Sequence, residues 1–412
     1  MHIRLLAIAL FAWLLSLSTL LLASDLALVG AKVYPSPTDP PIENATIVIH
    51  KGRIVAVGPS AKVKAPRFAR AVTIVNCKGM VVTAGFWNSH VHFTEDAWKN
   101  AGTSDAPKLE EHMQRMLTEW GFTSVFDTAS FIANTNALRA RVNKNEVPGP
   151  RIFTVGEPLY PKDGIPVYVG PEWNIPQAAS AEDAQRMTRE RLAQGADGIK
   201  VFAGAIVKGG VVLPMDAAII RAAVKVAHAA GKPVFAHPSN RAGTDNALSG
   251  GVDVLAHTIP MEAAFTREEL AQMKSQHVAL IPTLSLFPDE ERKFGGSKED
   301  EDAVVKTAIS QLKSYFDAGG TILFGTDVGY TKLYDTTREF QYMSESGMTM
   351  RDILASLTTN PANFFKIHNS GTIAKGMDAD LVVLAGDPAS DPRNFANVSL
   401  TIRSGRIIYS KH

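Results

Sequence analysis

Hydrophobic and polar positions divide the chain into four stretches. Residues 5–23 are almost unbroken apolar sequence behind Arg4, and Ser24-Asp25 then opens a polar segment. That pattern predicts an export signal over residues 1–24, with a cut near Ala23 or Ser24. An uncleaved anchor is the alternative, because Leu21 or Leu22 would fill the small-residue position before the cut and the run is nearly long enough to cross a bilayer. Over 25–82, short apolar segments at 26–34, 45–50 and 53–58 predict strands, with Lys51-Gly52 as a hairpin turn. The same character returns over 369–412, where 380–384, 400–403 and 406–409 read as strands and Ser404-Gly405 as a turn. Two β-rich, helix-poor ends predict one small β-sandwich-like domain built from both termini.

The middle stretch, 83–368, alternates between short apolar runs and longer segments of helical periodicity. Helices are expected at 108–120, 181–194, 215–230, 243–248, 266–276 and 301–318. Strands are expected at 79–86, 122–127, 151–155, 198–202, 233–237, 252–257, 279–283 and 321–327. Eight β–α units over this length predict an α/β fold, a closed (β/α)8 TIM-type barrel. A doubly wound open sheet is the alternative, but it would not place polar residues at so many strand ends.

Composition narrows the function classes. With 45% hydrophobic and 20% charged residues and a net charge of +1, the chain has no nucleic-acid footprint. A single cysteine, Cys77, excludes an intramolecular disulfide and reads as a packed strand residue. Nothing after residue 24 reads as a membrane span, so the expected partner is a small-molecule substrate, with homo-oligomerisation left open. The signal implies a secreted or periplasmic location.

The candidate chemistry begins at Asn88-Ser89-His90-Val91-His92. On an extended backbone this spacing sends both imidazoles to one face, where they can chelate a divalent metal. Further polar residues stand at the ends of later strands: Lys200, His237, His257 and Asp327. In a barrel these six converge at the C-terminal mouth. Four imidazoles with a carboxylate and a lysine favour a metal site over a metal-free histidine hydrolase, and no Gly-x-Ser-x-Gly elbow offers a rival nucleophile. Asp127 reads as a supporting or capping carboxylate, and His50, His112, His228, His277, His368 and His412 read as lying outside the site.

These motifs resemble the amidohydrolase superfamily. His-Val-His after Gly85-Phe86-Trp87-Asn88-Ser89, then Lys200, His237, His257 and Gly325-Thr326-Asp327, follow that superfamily's order of metal residues. The segments Thr358-Thr359-Asn360-Pro361-Ala362, Gly371-Thr372-Ile373 and 376–383 resemble its return into the small domain. The branch most similar is imidazolonepropionase-like and Xaa-Pro dipeptidase-like. The resemblance implies one or two divalent ions, zinc by preference. His90, His92 and Asp327 would hold the more buried ion and His237 and His257 the second. Lys200 would bridge them as a CO2-derived carbamate. It further implies hydrolysis of an amide or cyclic-amide C–N bond by a metal-activated hydroxide, with Asp327 shuttling the proton. Ester or lactone hydrolysis by the same site, a metal-free Schiff-base lyase using Lys200, and a catalytically silent binding module are the alternatives. Substrate contacts are expected from loops 160–173 and 287–298, and from Arg241, Tyr330 and Lys332.

Overall fold

The computed structural model describes residues 25–64, 72–170 and 175–411; the predicted signal lies outside the described residues. No helix among them is long and apolar enough to cross a membrane.

Both ends of the chain enter one eight-stranded sheet. The N-terminal part supplies Asp25–Val33, Ile42–His50, Arg53–Pro59, Val72–Asn76 and Val81–Ala84, and the C-terminal part Leu381–Leu384, Val398–Arg403 and Arg406–Ser410. The two predicted turns form as read. Lys51 (φ 48°) and Gly52 (φ 77°), like Ser404 (48°) and Gly405 (73°), place two consecutive residues in the left-handed region, the geometry of a two-residue hairpin whose twist matches its strands. Val81–Ala84 joins the two ends: it runs parallel to Asp25–Val33 and antiparallel to Leu381–Leu384. One edge of the first strand is shared between Val72–Asn76 and Val81–Ala84, so the expected sandwich-like domain takes the form of a single forked sheet. Its core packs Leu28, Ile47, Val82, Leu381 and Ile402 together with Cys77. Burial pushes the Cys77 thiol up to about 11, the state of a packing residue and not of a nucleophile.

The middle of the chain holds eight parallel strands with helices between them. Phe86–Val91, Phe122–Asp127 and Arg151–Thr154 pair in order, as do Ile199–Phe202, Val234–His237, Val254–Ala256, Ala279–Ile281 and Thr321–Ile322. Backbone hydrogen bonds join the two groups at both seams. Asp197 N donates to Thr154 O (2.7 Å) and Leu159 N to Lys200 O (2.8 Å); on the other side Ser89 N donates to Phe324 O (2.7 Å) and His92 N to Val328 O (2.8 Å). The strands therefore follow one another in cyclic order, with the chemistry-bearing residues at their C-terminal ends. Below that level the ring is filled by aromatic side chains. Trp87 stacks on Phe153 (5.4 Å) and Phe365 (5.5 Å), and Phe126 packs on Phe235 (4.8 Å) and Phe365 (4.9 Å). Phe365, just past helix Thr359–Phe364, plugs the floor.

Two strand expectations need correction. The apolar run 79–86 is not the strand that carries the histidine pair. Val81–Ala84 belongs to the terminal sheet, the chain turns over at Gly85, and Phe86–Val91 is the first strand of the parallel set. A Cβ at Gly85 would fall inside the Thr123 side chain, so only glycine permits this close crossing. The last expected strand, 321–327, is regular only over Thr321–Ile322. Its remainder stays beside the first strand through the seam bonds but turns to φ 62° at Asp327.

Candidate metal centre

The six candidate residues line one cavity of about 520 Å3. His90 lies within Phe86–Val91 and His92 just beyond it. Lys200 sits on Ile199–Phe202, His237 ends Val234–His237, and His257 follows Val254–Ala256. Asn88 pins the two sides of the seam together. Its Nδ2 donates to Thr326 Oγ1 (2.8 Å) and its Oδ1 accepts from His90 N (3.2 Å) and Thr326 N (3.3 Å), while Asp327 N donates to His90 O (3.0 Å). His90 and Asp327, 237 positions apart, are thus fixed side by side.

Asp327 is the focus of the cluster. Its Oδ1 lies 2.7 Å from His92 Nε2 and 3.3 Å from His90 Nε2, and its Oδ2 lies 3.9 Å from His257 Nε2. Two of these imidazoles have their tautomers set from behind. His92 Nδ1 lies 2.9 Å from Ala129 O, which can only accept, so Nδ1 carries the hydrogen. His257 Nδ1 lies 2.8 Å from Thr283 Oγ1, whose own proton goes to Pro282 O at 2.9 Å, so here too Nδ1 donates. Each ring then turns a bare Nε2 lone pair toward a carboxylate that has nothing to donate. Asp327 Oδ1 is buried with no hydrogen-bond partner. Lone pairs converging at these distances call for a cation among them. A proton is a poor choice at His90, which burial pushes down to about 3, and at His257, which burial holds well below the usual imidazole range. A divalent metal fits the donor set: neutral Nε2 atoms, one carboxylate, and Nδ1–H groups anchored on oxygen.

The other two residues stand next to this group. The His237 ring lies 4.7 Å from that of His257 and stacks on Phe202 at 4.5 Å. Lys200, 2% exposed, has its ammonium pushed down to about 7 by burial. His90, His92 and Asp327 form the tight triplet, with ligand atoms within 4.8 Å of one another. His257 reaches it through Oδ2, and His237 and Lys200 face the same space.

The backbone is strained where it delivers these groups. Asp327 (φ 62°), His257 (90°) and Thr283 (46°) all occupy the left-handed region, at about 1–3 kcal/mol each. Glu339 holds part of that strain in place. Fully buried, it accepts from Leu284 N (2.8 Å), Ser285 N (2.7 Å) and Ser285 Oγ (2.7 Å), fixing the turn that presents Thr283 to His257. Glu339→Gln would point an amide NH2 at one of these donors. We expect a loss of about 2–3 kcal/mol in stability, read by thermal melting, together with weakened metal retention. Unchanged melting and metal content would refute this anchoring role.

Asp127 is buried among hydroxyls, accepting from Ser130 Oγ (2.6 Å), Thr154 Oγ1 (2.8 Å) and Thr135 Oγ1 (3.1 Å). It supports the loop whose Ala129 carbonyl orients His92. Of the expected substrate contacts, Tyr330 lines the cavity, as do Tyr160, Phe287 and Phe294 of the two expected loops; positions 171–173 of the first loop lie outside the described residues. Arg241 is tied to Glu269 instead, and Lys332 is not part of the lining. Sequence reasoning did not single out Glu290, Glu339 or the hairpin Gly204–Ile206/Val212–Pro214, whose tip reaches the cavity. For the two glutamates the one available signal was a carboxylate on the apolar-facing side of a helix.

With this geometry in view, residues 81–408 match the sequence profile of the Amidohydrolase family. The chain belongs to that family. As an amidohydrolase it is a hydrolase of carbon–nitrogen bonds. It is 24% identical over 393 residues to an allantoinase of Solibacter usitatus (strain Ellin6076), covering 84% of this chain and 82% of the relative. Among solved structures, a candidate prolidase from Bifidobacterium longum superimposes with a TM-score of 0.78 at 26% identity, covering 94% of this amidohydrolase and 95% of the other chain. A Xaa-Pro dipeptidase with bound methionine gives 0.78 at 23% identity, covering 94% and 100%. Such neighbours carry a parallel-strand barrel with an added domain, and they fall in the branch whose motifs the sequence resembles.

Proposed function

We propose that this chain is an exported, metal-dependent amidohydrolase whose barrel runs from Phe86 to about residue 368, between the two parts of the terminal sheet domain, the first of which ends with Val81–Ala84. The observation that carries the reading is the buried, unpartnered Asp327 Oδ1 facing the bare Nε2 of His92 at 2.7 Å, with the His90 ring beside it. His90, His92 and Asp327 would hold one divalent ion, zinc by ligand preference. His237 and His257 would hold a second, with Lys200 between them. The buried amine suits CO2 addition: neutral Nζ attacks the carbon, one proton leaves, and the product is an anionic carbamate that can ligate where an ammonium cannot. When bound, the ions supply Lewis-acid polarisation of the scissile carbonyl and acidify water. The protein's own part is proton traffic and position. Asp327 Oδ2 accepts the proton of the attacking water as the C–O bond forms, and returns it to the nitrogen as the C–N bond breaks. Acid and amine leave in balance.

Metal analysis of the purified full chain is expected to find about one to two divalent ions per molecule. Chelation should lower turnover of an amide panel (N-acyl amino acids, dipeptides, cyclic ureas) by at least about 100-fold, with recovery on adding zinc. Activity that survives chelation, with borohydride trapping substrate on Lys200, would replace this reading with lyase chemistry. A lactone turned over in preference to every amide would move it to ester hydrolysis.

A further inference from the structure

Glu290 is a charged group of the cavity for which the hydrolytic step has no task. It lies on helix Leu286–Lys293, which follows the seventh parallel strand, and it lines the cavity beside Glu291. Its Oε1 accepts a hydrogen bond from the Tyr330 hydroxyl at 2.8 Å. Tyr330 is itself held by the Tyr168 ring at 5.1 Å and the Lys293 ammonium at 5.5 Å. Lys293 gives its charge to Asp289, 2.7 Å away, and leaves Glu290 without an ion-pair partner among the described residues. Lys200 is the one lysine or arginine among the described residues lining the cavity, and it belongs to the metal cluster. The mouth is otherwise apolar: Val167, Met261 and Phe294 line it while 50%, 74% and 70% exposed.

The geometry points to Glu290, oriented by Tyr330, as a specificity-determining residue. It selects amide substrates with an apolar body and, away from the scissile bond, a cationic nitrogen (an amine, amidine or guanidine), and it disfavours a free carboxylate at that end. This rests on the C–N hydrolase reading of the same cavity. The half-buried carboxylate can accept a charge-assisted hydrogen bond from an ammonium, which is stronger than one between neutral groups. A substrate carboxylate in its place would meet two glutamates and no guanidinium. Burial lifts the Glu290 carboxyl to about 7 against the opposing Tyr330 hydrogen bond, so an incoming cation also draws it into its ionised form.

The test uses the full-length, metal-loaded protein and three amides of one skeleton whose far end carries an aminomethyl, a methyl or a carboxymethyl group. The aminomethyl amide should lead the methyl one in kcat/KM by at least about 10-fold, with the carboxymethyl amide last. Glu290→Gln should bring the first two within about two-fold of each other, and Glu290→Lys should invert the order. Calorimetry supplies a readout free of turnover. Benzylamine should bind the wild type at least about 10-fold more tightly than benzyl alcohol, and that margin should shrink by at least about 10-fold in Glu290→Gln. Metal coordination of the amine is common to both proteins and cancels. If no amide is hydrolysed, the C–N reading of the site fails and the calorimetric margin alone decides the role of Glu290. A wild type without ammonium preference, or a Glu290→Gln variant that keeps it, overturns the proposal.

Discussion

Lys200→Met is expected to make the metal-free protein more stable and the enzyme inactive. The buried amine is pushed from 10.5 down to about 7, so the folded chain binds that proton less tightly than the unfolded chain does. The resulting penalty is absent above the unfolded value, grows as pH falls from 10.5 to 7, and is complete below 7. It amounts to roughly 3–5 kcal/mol. An apolar side chain of similar length removes it. The melting temperature of chelator-stripped protein should therefore rise by roughly 5 °C at pH 6, with the gain shrinking toward pH 10. Loss of the proposed carbamate bridge should meanwhile lower turnover by at least about a thousand-fold and release one metal. In Lys200→Ala, which does vacate the space, small carboxylic acids are expected to restore part of that turnover. A variant that melts lower at pH 6, or that keeps all its metal, would show that Lys200 has another role.

Asp327→Asn should separate stability from function in the same way. The wild-type Oδ1 confronts the bare Nε2 of His92 at 2.7 Å. An asparagine NH2 in its place can donate to that nitrogen, so the stripped variant should melt at or above the wild-type temperature. Catalysis loses both a ligand and the proton carrier, a fall in kcat/KM of about 10^3 to 10^5-fold. Metal content should fall by about one ion per chain. Retention of a tenth of the activity with full metal would contradict the placement of Asp327 at the centre.

The contrast between the two variants and the wild type explains much of what the sequence showed. Polar side chains that end apolar runs are costly unless something compensates them, so His90, His92, Lys200, His237, His257 and Asp327 stood out from a chain of ordinary composition. The hairpins at Lys51-Gly52 and Ser404-Gly405 were readable because few residue pairs tolerate their backbone. The turn at Gly85 was not: an apolar run carries no mark of where it leaves one sheet for another, and the deciding contact is with Thr123, distant in sequence. The last strands ended early because His257 and Asp327 are delivered by left-handed turns that hydrophobicity does not encode. Glu339 escaped notice, and Glu290 was expected only as part of the segment 287–298, since a charge in a helix ordinarily faces water. Only the tertiary fold shows Glu339 receiving three donors and Glu290 turned toward the cavity.

The pairing of Val81–Ala84 with both Asp25–Val33 and Leu381–Leu384 bears on how the molecule is made. A ribosome delivers the first of these strands hundreds of residues before the last. Until the final segment emerges, one edge of Val81–Ala84 stays open, a template for pairing with a stranger. The terminal sheet can be completed only after Arg406–Ser410 has been made, and a nascent chain that pauses before that point is exposed to aggregation.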